Sequence, residues 1–359
     1  MKRRILVAMS GGVDSSVAAF LLKERGCDVA GATMCLGVQA VKGEKPCGGG
    51  TEAVDDARRV CDRLGVPHHI FDFAPALEAQ VIRPFIDEYA RGRTPNPCVN
   101  CNRYLKFGTL LDRTKALGFD YLATGHYAGI EETDAGHVLT RPRDRRKDQT
   151  YFLYHMAPDK LSSILFPLAF YMKAEVRAIA SKAGLPVAAK GESQDICFVT
   201  QRNYQAFVAG RLPEIHPGWI VDREGRKLGE HRGIVFYTIG QRGGLGISHR
   251  TPLYVTAIDA ERSRIVVGEK ADLRAAGLVA GDLSILVRDW PRTAHVKIRY
   301  RKKDVPCTVR FENDRLHADF ADGQEAVTPG QSAVFYDGDR VLGGGIIEGP
   351  ADATRQGDA

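Results

Sequence analysis

The chain has 359 residues, 44% hydrophobic and 26% charged, a composition ordinary for a soluble protein and a length that allows two or three domains. No run approaches the roughly 20 apolar residues that a membrane span requires, so no membrane partner is expected. The net charge of +6 is mild, and its distribution says more: residues 141–147 (RPRDRRK) hold five basic residues in seven, and residues 299–303 (RYRKK) hold four in five. One such cluster reads as a solvated face, whereas two in one chain raise nucleic acid as a partner.

The start MKRR is basic, but Asp14 and two glycines interrupt the stretch after it. The segment therefore reads as strand plus loop rather than a signal peptide, and a cytosolic (cytoplasmic) chain is expected. Residues 5–9 are apolar and predict a buried strand. SGGVDSS comes next, then an apolar-periodic helix (Val17, Ala18, Phe20, Leu21, Leu22) stopped by Gly26. A strand that runs through a glycine turn into a helix N-terminus presents unpartnered N–H groups and the positive end of the helix dipole, a place for phosphate. The Walker loop needs a Lys after its last Gly, and the dinucleotide fingerprint needs a third Gly; neither is present. The spelling SGGxDS instead resembles the PP-loop of the ATP pyrophosphatases, which split ATP into AMP and pyrophosphate to adenylate a substrate oxygen. Gly11 and Gly12 would let backbone wrap the pyrophosphate, with the Ser10 and Ser15 hydroxyls as further donors.

A second strand (DVAGATMCLG), a glycine-rich excursion, a helix (TEAVDDARRVCDRLG) and a third strand (PHHIFDF) come next. A helix interrupted by Pro84 ends at Gly92. The loop RTPNPCVNCN then precedes a helix (YLKFGTLLDRTKALG) and a fourth strand (FDYLATGHYA). Strands separated by helices predict a parallel sheet, with ligands beyond the carboxyl ends of its strands. The loop after strand one, Met34 and Gly125-His126 should therefore meet in one crevice. The pattern runs on through QTYFLYHM and the helix KAEVRAIASKAG to about residue 200. Short, turn-rich segments succeed it, and from about 275 repeated strands with polar turns predict a β-barrel. The expected fold is α/β: a PP-loop catalytic domain over 1–203, a small β-rich central domain over 204–270, a C-terminal barrel over 271–350 and a flexible tail over 351–359.

Eight cysteines occur. In a cytosolic chain these are not a disulfide framework, so grouped ones are candidates for redox, sulfur or metal chemistry. Cys27, Cys61 and Cys307 read as packing residues. Cys98 and Cys101 sit in a Pro-rich loop before a helix, and Cys197 lies at the far end of the same domain. Near a helix N-terminus and Arg93 or Arg103, such a thiol can have its pKa lowered and act as a nucleophile. A zinc site could draw on Cys35, Cys47, His68 and His69, but no second CxxC exists to close it.

The ordered run of TPNPCVNCN with Lys106-Phe107, ATGHYA, KDQTYFL, GESQDICFV and YTIGQRGGLGI resembles the tRNA-specific 2-thiouridylases, which make 2-thiouridine at the wobble position of certain tRNAs. The resemblance covers nearly the whole chain. It implies ATP contacts at Ala8, Met9, Ser10, Gly11, Gly12, Val13, Asp14, Ser15, Met34 and Gly125, with Mg²⁺ neutralising the phosphates. It implies that Cys197 carries a persulfide from a sulfur-relay donor, and that Cys101 is the nucleophile that attacks it, releasing sulfide or forming a transient disulfide. It implies tRNA contacts at His126, Lys147, Asp148, Gln149, Arg299, Tyr300 and Gln331, and places Asn96, Pro97 and Cys98 beside the target base; a monomer is expected. Many relatives carry Asp where this chain has Cys98. Three thiolates, Cys98, Cys101 and Cys197, could instead ligate a [4Fe–4S] cluster that carries sulfide. Two other classes compete: a PP-loop ligase that adds nitrogen, and an RNA-binding protein that only holds ATP. The first lacks an ammonia-generating domain here, and reactive cysteines beside an intact loop weigh against the second.

Overall fold

The computed structural model describes residues 2–37, 50–192, 196–199 and 203–351, leaving aside the side chains of 50 and 51. Cys47, most of the glycine-rich excursion and the expected tail lie outside the described residues. Two compact units divide the chain: Met1–Val81 with Cys98–Phe198 and Asp339–Val341, and Ile82–Pro97 with Val199–Gly338 and Leu342–Ala359.

The first unit contains strands β1 (Arg4–Ala8), β2 (Asp28–Cys35), β3 (His68–Asp72), β4 (Tyr121–Thr124), β5 (Gly129–Thr133), β6 (Gly136–Thr140) and β7 (Ile164–Leu165). Five of them form a parallel sheet in the order β3-β2-β1-β4-β7. Ile5, Leu6 and Val7 of central β1 are almost fully buried, as a parallel strand covered on both faces requires. Val17, Ala18 and Leu22 of helix Val13–Glu24, Ala57, Val60 and Cys61 of helix Gly50–Leu64, and Val176 and Ala180 of helix Lys173–Lys182 complete this core. A Cβ on Gly31 would lie 2.5 Å from Cys61 Sγ, so Cys61 is a packing residue, as the sequence suggests. β5 and β6 form an antiparallel hairpin, and Arg340 pairs with Thr140 at its edge.

Three elements differ from expectation. The helical stretch around Pro84 is widened rather than broken: Ala74–Leu77 passes through a π-type turn at Glu78–Ile82 into Arg83–Ala90. A wide turn just ahead of a proline relieves the clash and the lost donor. Second, the segment RTPNPCVNCN is already helical at Pro97–Asn100 and continues as a π-type helix over Cys101–Leu110. Proline at the first helical position costs no hydrogen bond, so Cys98 and Cys101 stand in a helix rather than a loop. Third, QTYFLYHM forms only a short 3₁₀ turn, Thr150–Phe152.

The second unit holds a small sheet and a barrel. Strands β8 (Gly218–Val221), β9 (Lys227–His231), β10 (Tyr254–Asp259) and β11 (Arg264–Gly268) pair in the order β10-β11-β8-β9 over a core of Ile220, Val255, Ile265 and Val267. Strands β12 (Arg274–Ile285), β13 (Thr293–Lys297), β14 (Val305–Glu312), β15 (Arg315–Glu325), β16 (Ser332–Asp337) and β17 (Arg340–Pro350) are arranged in the order β12-β15-β14-β13-β16-β17. Pairing of β12 with β17 closes them into a six-stranded barrel. Closure removes the exposed edges that an open sheet would present. Strand β13 ends at Lys297, so Arg299, Tyr300 and Arg301 lie in the turn beyond it.

Candidate active site

The phosphate-type loop leaves β1 with Met9 N–H donating to Ala32 O at 2.7 Å. Ser10 N–H donates to Ser15 Oγ at 3.2 Å, and the Ser15 and Ser16 hydroxyls donate to Gly12 O at 3.2 and 2.8 Å. Ser16 N–H makes the first helical bond, to Gly12 O. The N–H groups of Val13, Asp14 and Ser15 precede it and are the donors that an anion would take. Gly11 turns through φ +69°, and a Cβ there would strike the Ala53 backbone. A Cβ on Gly125, just past β4, would lie 2.5 Å from Ser15 N and 2.7 Å from Asp14 C. Glycine at 125 therefore lets the β4 end reach the loop. Ala8 ends β1 and Met34 is the penultimate residue of β2, so the expected nucleotide contacts gather at the carboxyl edge of the sheet. A cavity of about 880 Å³ lined by Lys2, Arg3, Cys27 and Tyr121 opens at the amino ends of these strands, away from the loop.

Asp14 is the acid of the loop, and its partners come from far along the chain. Lys173 Nζ donates to both carboxylate oxygens at 2.7 and 2.8 Å, and the Tyr127 hydroxyl donates at 2.9 Å. Lys173 also lies 3.4 Å from Glu192, which accepts from Lys147 at 2.6 Å and faces Arg177 at 3.7 Å. The Lys147 hydrogen bond and the charge of Lys173 hold the Glu192 carboxyl below the usual carboxylate range. Sequence reasoning missed Lys173, Glu192 and Tyr127. Lys173 reads only as a charge among other charges, and Tyr127 and Glu192 fall within ATGHYA and GESQDICFV with nothing local to tie them to Asp14.

Cys98, Cys101 and Cys197 lie close enough that charge on Cys101 raises the pKa of both others, and charge on Cys98 also raises that of Cys197. Burial pushes Cys98 up to about 11 and Cys197 up to about 12, and it raises Cys101 as well. The lowered thiol pKa expected near Arg93 and Arg103 is thus overturned. Arg93 pairs with Glu88 at 2.6 Å, and Arg103 lies 3.2 Å from His155 Nε2 and over the Tyr104 ring. The cation that favours the thiolates is Lys106, and burial outweighs it. Lys106 Nζ is 3.3 Å from His126 Nε2, and Thr124 Oγ1 is 2.6 Å from His126 Nδ1. Burial, then Lys106, holds His126 well below its ordinary pKa, so this imidazole is neutral. Among the described residues no set of three or more His, Cys, Asp and Glu side chains is arranged to hold a metal ion, Cys35, His68 and His69 included, while Cys47 lies outside them.

Several expected tRNA-contact positions face inward. Asp148 is buried, accepts from the Thr150 N–H and hydroxyl, and lies 3.6 Å from Arg141. Gln149 Oε1 accepts from Tyr127 N–H at 2.9 Å. Arg143 pairs with Glu175, and Arg145 with Asp339, so much of the first basic cluster is neutralised. In the second unit Arg299 donates to Thr328 Oγ1 at 2.6 Å and to the carbonyls of Ile239 and Ala326. Gln331 Nε2 donates to Thr94 O at 2.8 Å, and Thr94 N–H donates to Pro329 O. Arg299 and Gln331 thus build the turn that grips the stretch leading to Asn96 and Pro97. Tyr300 lies under Lys297 Nζ, 5.5 Å from its ring centre.

A glycine loop between a parallel strand and a helix, gathered with three interacting thiols in one unit, defines an α/β nucleotide-binding enzyme of the pyrophosphatase type. Residues 3–201 match the family described as tRNA methyl transferase HUP domain, 205–269 its PRC-barrel domain, and 276–347 the aminomethyltransferase beta-barrel domain. A tRNA-specific 2-thiouridylase of Syntrophus aciditrophicus is 56% identical over 97% of this chain and 93% of its own. Those of Carboxydothermus hydrogenoformans and Clostridium botulinum are 47% and 45% identical, each over 97% of this chain and 98% of their own. Among solved structures, NMN synthetase from Francisella tularensis is similar at a TM-score of 0.36 and 14% identity, over 59% of this chain and 79% of that one. The chain belongs to the tRNA-specific 2-thiouridylase family.

Proposed function

We propose that the protein thiolates C2 of the wobble uridine of tRNA at the expense of ATP. The observation that carries this reading is the placement, in one unit, of a phosphate loop and three mutually interacting cysteines. The loop N–H groups of Val13, Asp14 and Ser15 orient ATP, with Mg²⁺ as counter-charge at the phosphates. Uracil O2 attacks the α-phosphorus and pyrophosphate leaves, so O2 becomes part of an AMP leaving group. The terminal sulfur of a Cys197 persulfide, delivered by a donor protein, then attacks C2. Cys101 attacks the Cys197 sulfur, and the S–S electron pair stays with the transferred sulfur as AMP departs. A Cys101–Cys197 disulfide remains, which an external thiol reductant reopens. Because burial raises the Cys101 pKa, its proton leaves as it attacks, with Lys106 favouring the thiolate.

Asn96, Pro97 and Cys98 sit beside the target base in this reading. His126 and Tyr300 contact the tRNA, while Lys147, Asp148, Gln149, Arg299 and Gln331 position the segments that do so. The proposed working divisions are 1–203, 204–270 and 271–350, in a cytoplasmic monomer. A second reading draws on the proximity of Cys98 to Cys101 and Cys197, three thiols suited in type to a [4Fe–4S] cluster. They are not arranged as a metal-holding set, so no step is routed through a cluster. Incubation with tRNA, ATP and a persulfide donor, followed by nucleoside analysis, tests the proposal. Wild type should form 2-thiouridine with AMP and pyrophosphate, and Cys197→Ser should release AMP without thiolation. Normal thiolation by Cys197→Ser would refute the assignment.

A further inference from the structure

Three cations converge on Glu192: Lys147 at 2.6 Å, Lys173 at 3.4 Å and Arg177 at 3.7 Å. They come from three places, a loop and two turns of one helix, and Glu192 itself lies outside any helix or strand. Lys173 is the shared member. Its ammonium, on a side chain only 12% exposed, touches Glu192 and both oxygens of Asp14 in the phosphate loop. Three positive groups and two carboxylates leave this cluster with one net positive charge, against the three or more negative charges of the terminal phosphates of ATP. The loop has no lysine of its own, so this cluster is the cationic wall within reach of the bound Asp14. Were Glu192 to leave it, the wall would face the phosphates with two net positive charges and with the donors that Lys147, Lys173 and Arg177 now turn to Glu192.

We propose that Glu192 is an anionic placeholder, a carboxylate that occupies the subsite of the departing pyrophosphate until ATP displaces it from Lys147, Lys173 and Arg177. This rests on the nucleotide reading above and adds to it the residues that receive the leaving group. The placeholder keeps like charges from facing each other in the empty enzyme. It also lowers affinity for pyrophosphate, since each arriving ligand must compete with a tethered carboxylate. That competition favours product release after adenylation.

The test is equilibrium titration of wild type, Glu192→Gln and Lys173→Met with inorganic pyrophosphate, ATP, AMP and unmodified tRNA. Glu192→Gln should bind pyrophosphate and ATP more tightly, by about tenfold if the placeholder occupies the subsite some nine-tenths of the time. AMP and tRNA affinities should stay within about twofold, because neither reaches the subsite. Lys173→Met should weaken pyrophosphate by about 10- to 100-fold, the loss of a charge-assisted hydrogen bond, with AMP little changed. Glu192→Ala, read with the same ligands and with thermal unfolding, guards against a folding defect peculiar to the amide. Unchanged or weaker pyrophosphate binding in both Glu192 variants would overturn the proposal. Tighter tRNA with unchanged pyrophosphate would also overturn it, assigning the cluster to RNA phosphate. Wild type that binds neither ATP nor pyrophosphate would remove the nucleotide reading itself, and the placeholder with it.

Discussion

Replacing Gly125 by alanine should disable the nucleotide site from the opposite side of the loop. The added methyl would stand 2.5 Å from Ser15 N, 2.7 Å from Asp14 C and 2.9 Å from Ser15 Cα, all backbone atoms that cannot rotate away. Ordinary contact begins near 3.4 Å, so loop and strand end must separate by about 0.9 Å (3.4 − 2.5). β4 is held between β1 and β7, so the loop is the part that moves. A displacement of this size costs on the order of 10²-fold in a rate that depends on alignment, and overpacking costs about 1–3 kcal/mol of stability. Gly12→Ala is the contrast: φ is −104° and the nearest atom is Ser10 Oγ at 3.4 Å, so the empty loop accommodates the methyl. Thermal unfolding, ATP titration and tRNA-dependent AMP release separate the two. Gly125→Ala should lose stability and ATP affinity together, whereas Gly12→Ala should keep its Tm and lose ATP only, the methyl meeting the phosphates. A Gly125→Ala protein with wild-type Tm and wild-type ATP affinity would refute the reasoning.

Arg299→Ala should lower stability by about 2–4 kcal/mol, because a charged donor to Thr328 and two carbonyls is removed, and thermal unfolding measures it. Arg301 and Lys303 are exposed, so their joint replacement by alanine should leave Tm alone and flatten the salt dependence of tRNA affinity by about 0.7–0.9 for each phosphate no longer neutralised. Burial raises the pKa of Cys61 and Cys98 to about 11 and of Cys197 and Cys307 to about 12, from an ordinary value of 9.0. A raised acid stabilises the fold below its unfolded pKa and loses that contribution as pH climbs through the folded one. Tm should therefore be insensitive to these thiols up to pH 9 and fall toward pH 11–12. Cys98→Asp should keep partial thiolation in iron-free protein supplied with a persulfide donor, whereas full dependence of wild type on bound iron would favour the cluster route.

The sheet, the loop and the barrel were legible because each is a local pattern. Residues 5–9 are apolar enough to be a central strand, the glycine turn comes at once after them, and the later strands alternate with polar turns. What stayed hidden is what distant residues do to one another. Nothing near Asp14 announces a lysine from position 173, and Lys147 looks like a solvent-facing member of a basic run until Glu192 is placed against it. The thiols were misjudged for the same reason: charge neighbours can be read along the chain, but burial, which dominates their pKa, cannot. Arg299 likewise reads as a surface cation, and only the fold brings Thr328 and Ile239 to its guanidinium. Proline misled in two places: Pro97 opens a helix where a Pro-rich stretch suggested a loop, and Pro84 follows a widened turn rather than a break.

The central claim is that ATP activates uracil O2 so that sulfur can replace it, and the fate of that oxygen tests it directly. A tRNA carrying heavy oxygen at O2 of the wobble uridine would be converted with ATP and a persulfide donor, and the released AMP examined by mass spectrometry. The account predicts AMP carrying one heavy oxygen for each 2-thiouridine formed, with none in pyrophosphate. Formation of 2-thiouridine with unlabelled AMP, the heavy oxygen appearing in water or phosphate instead, would contradict it.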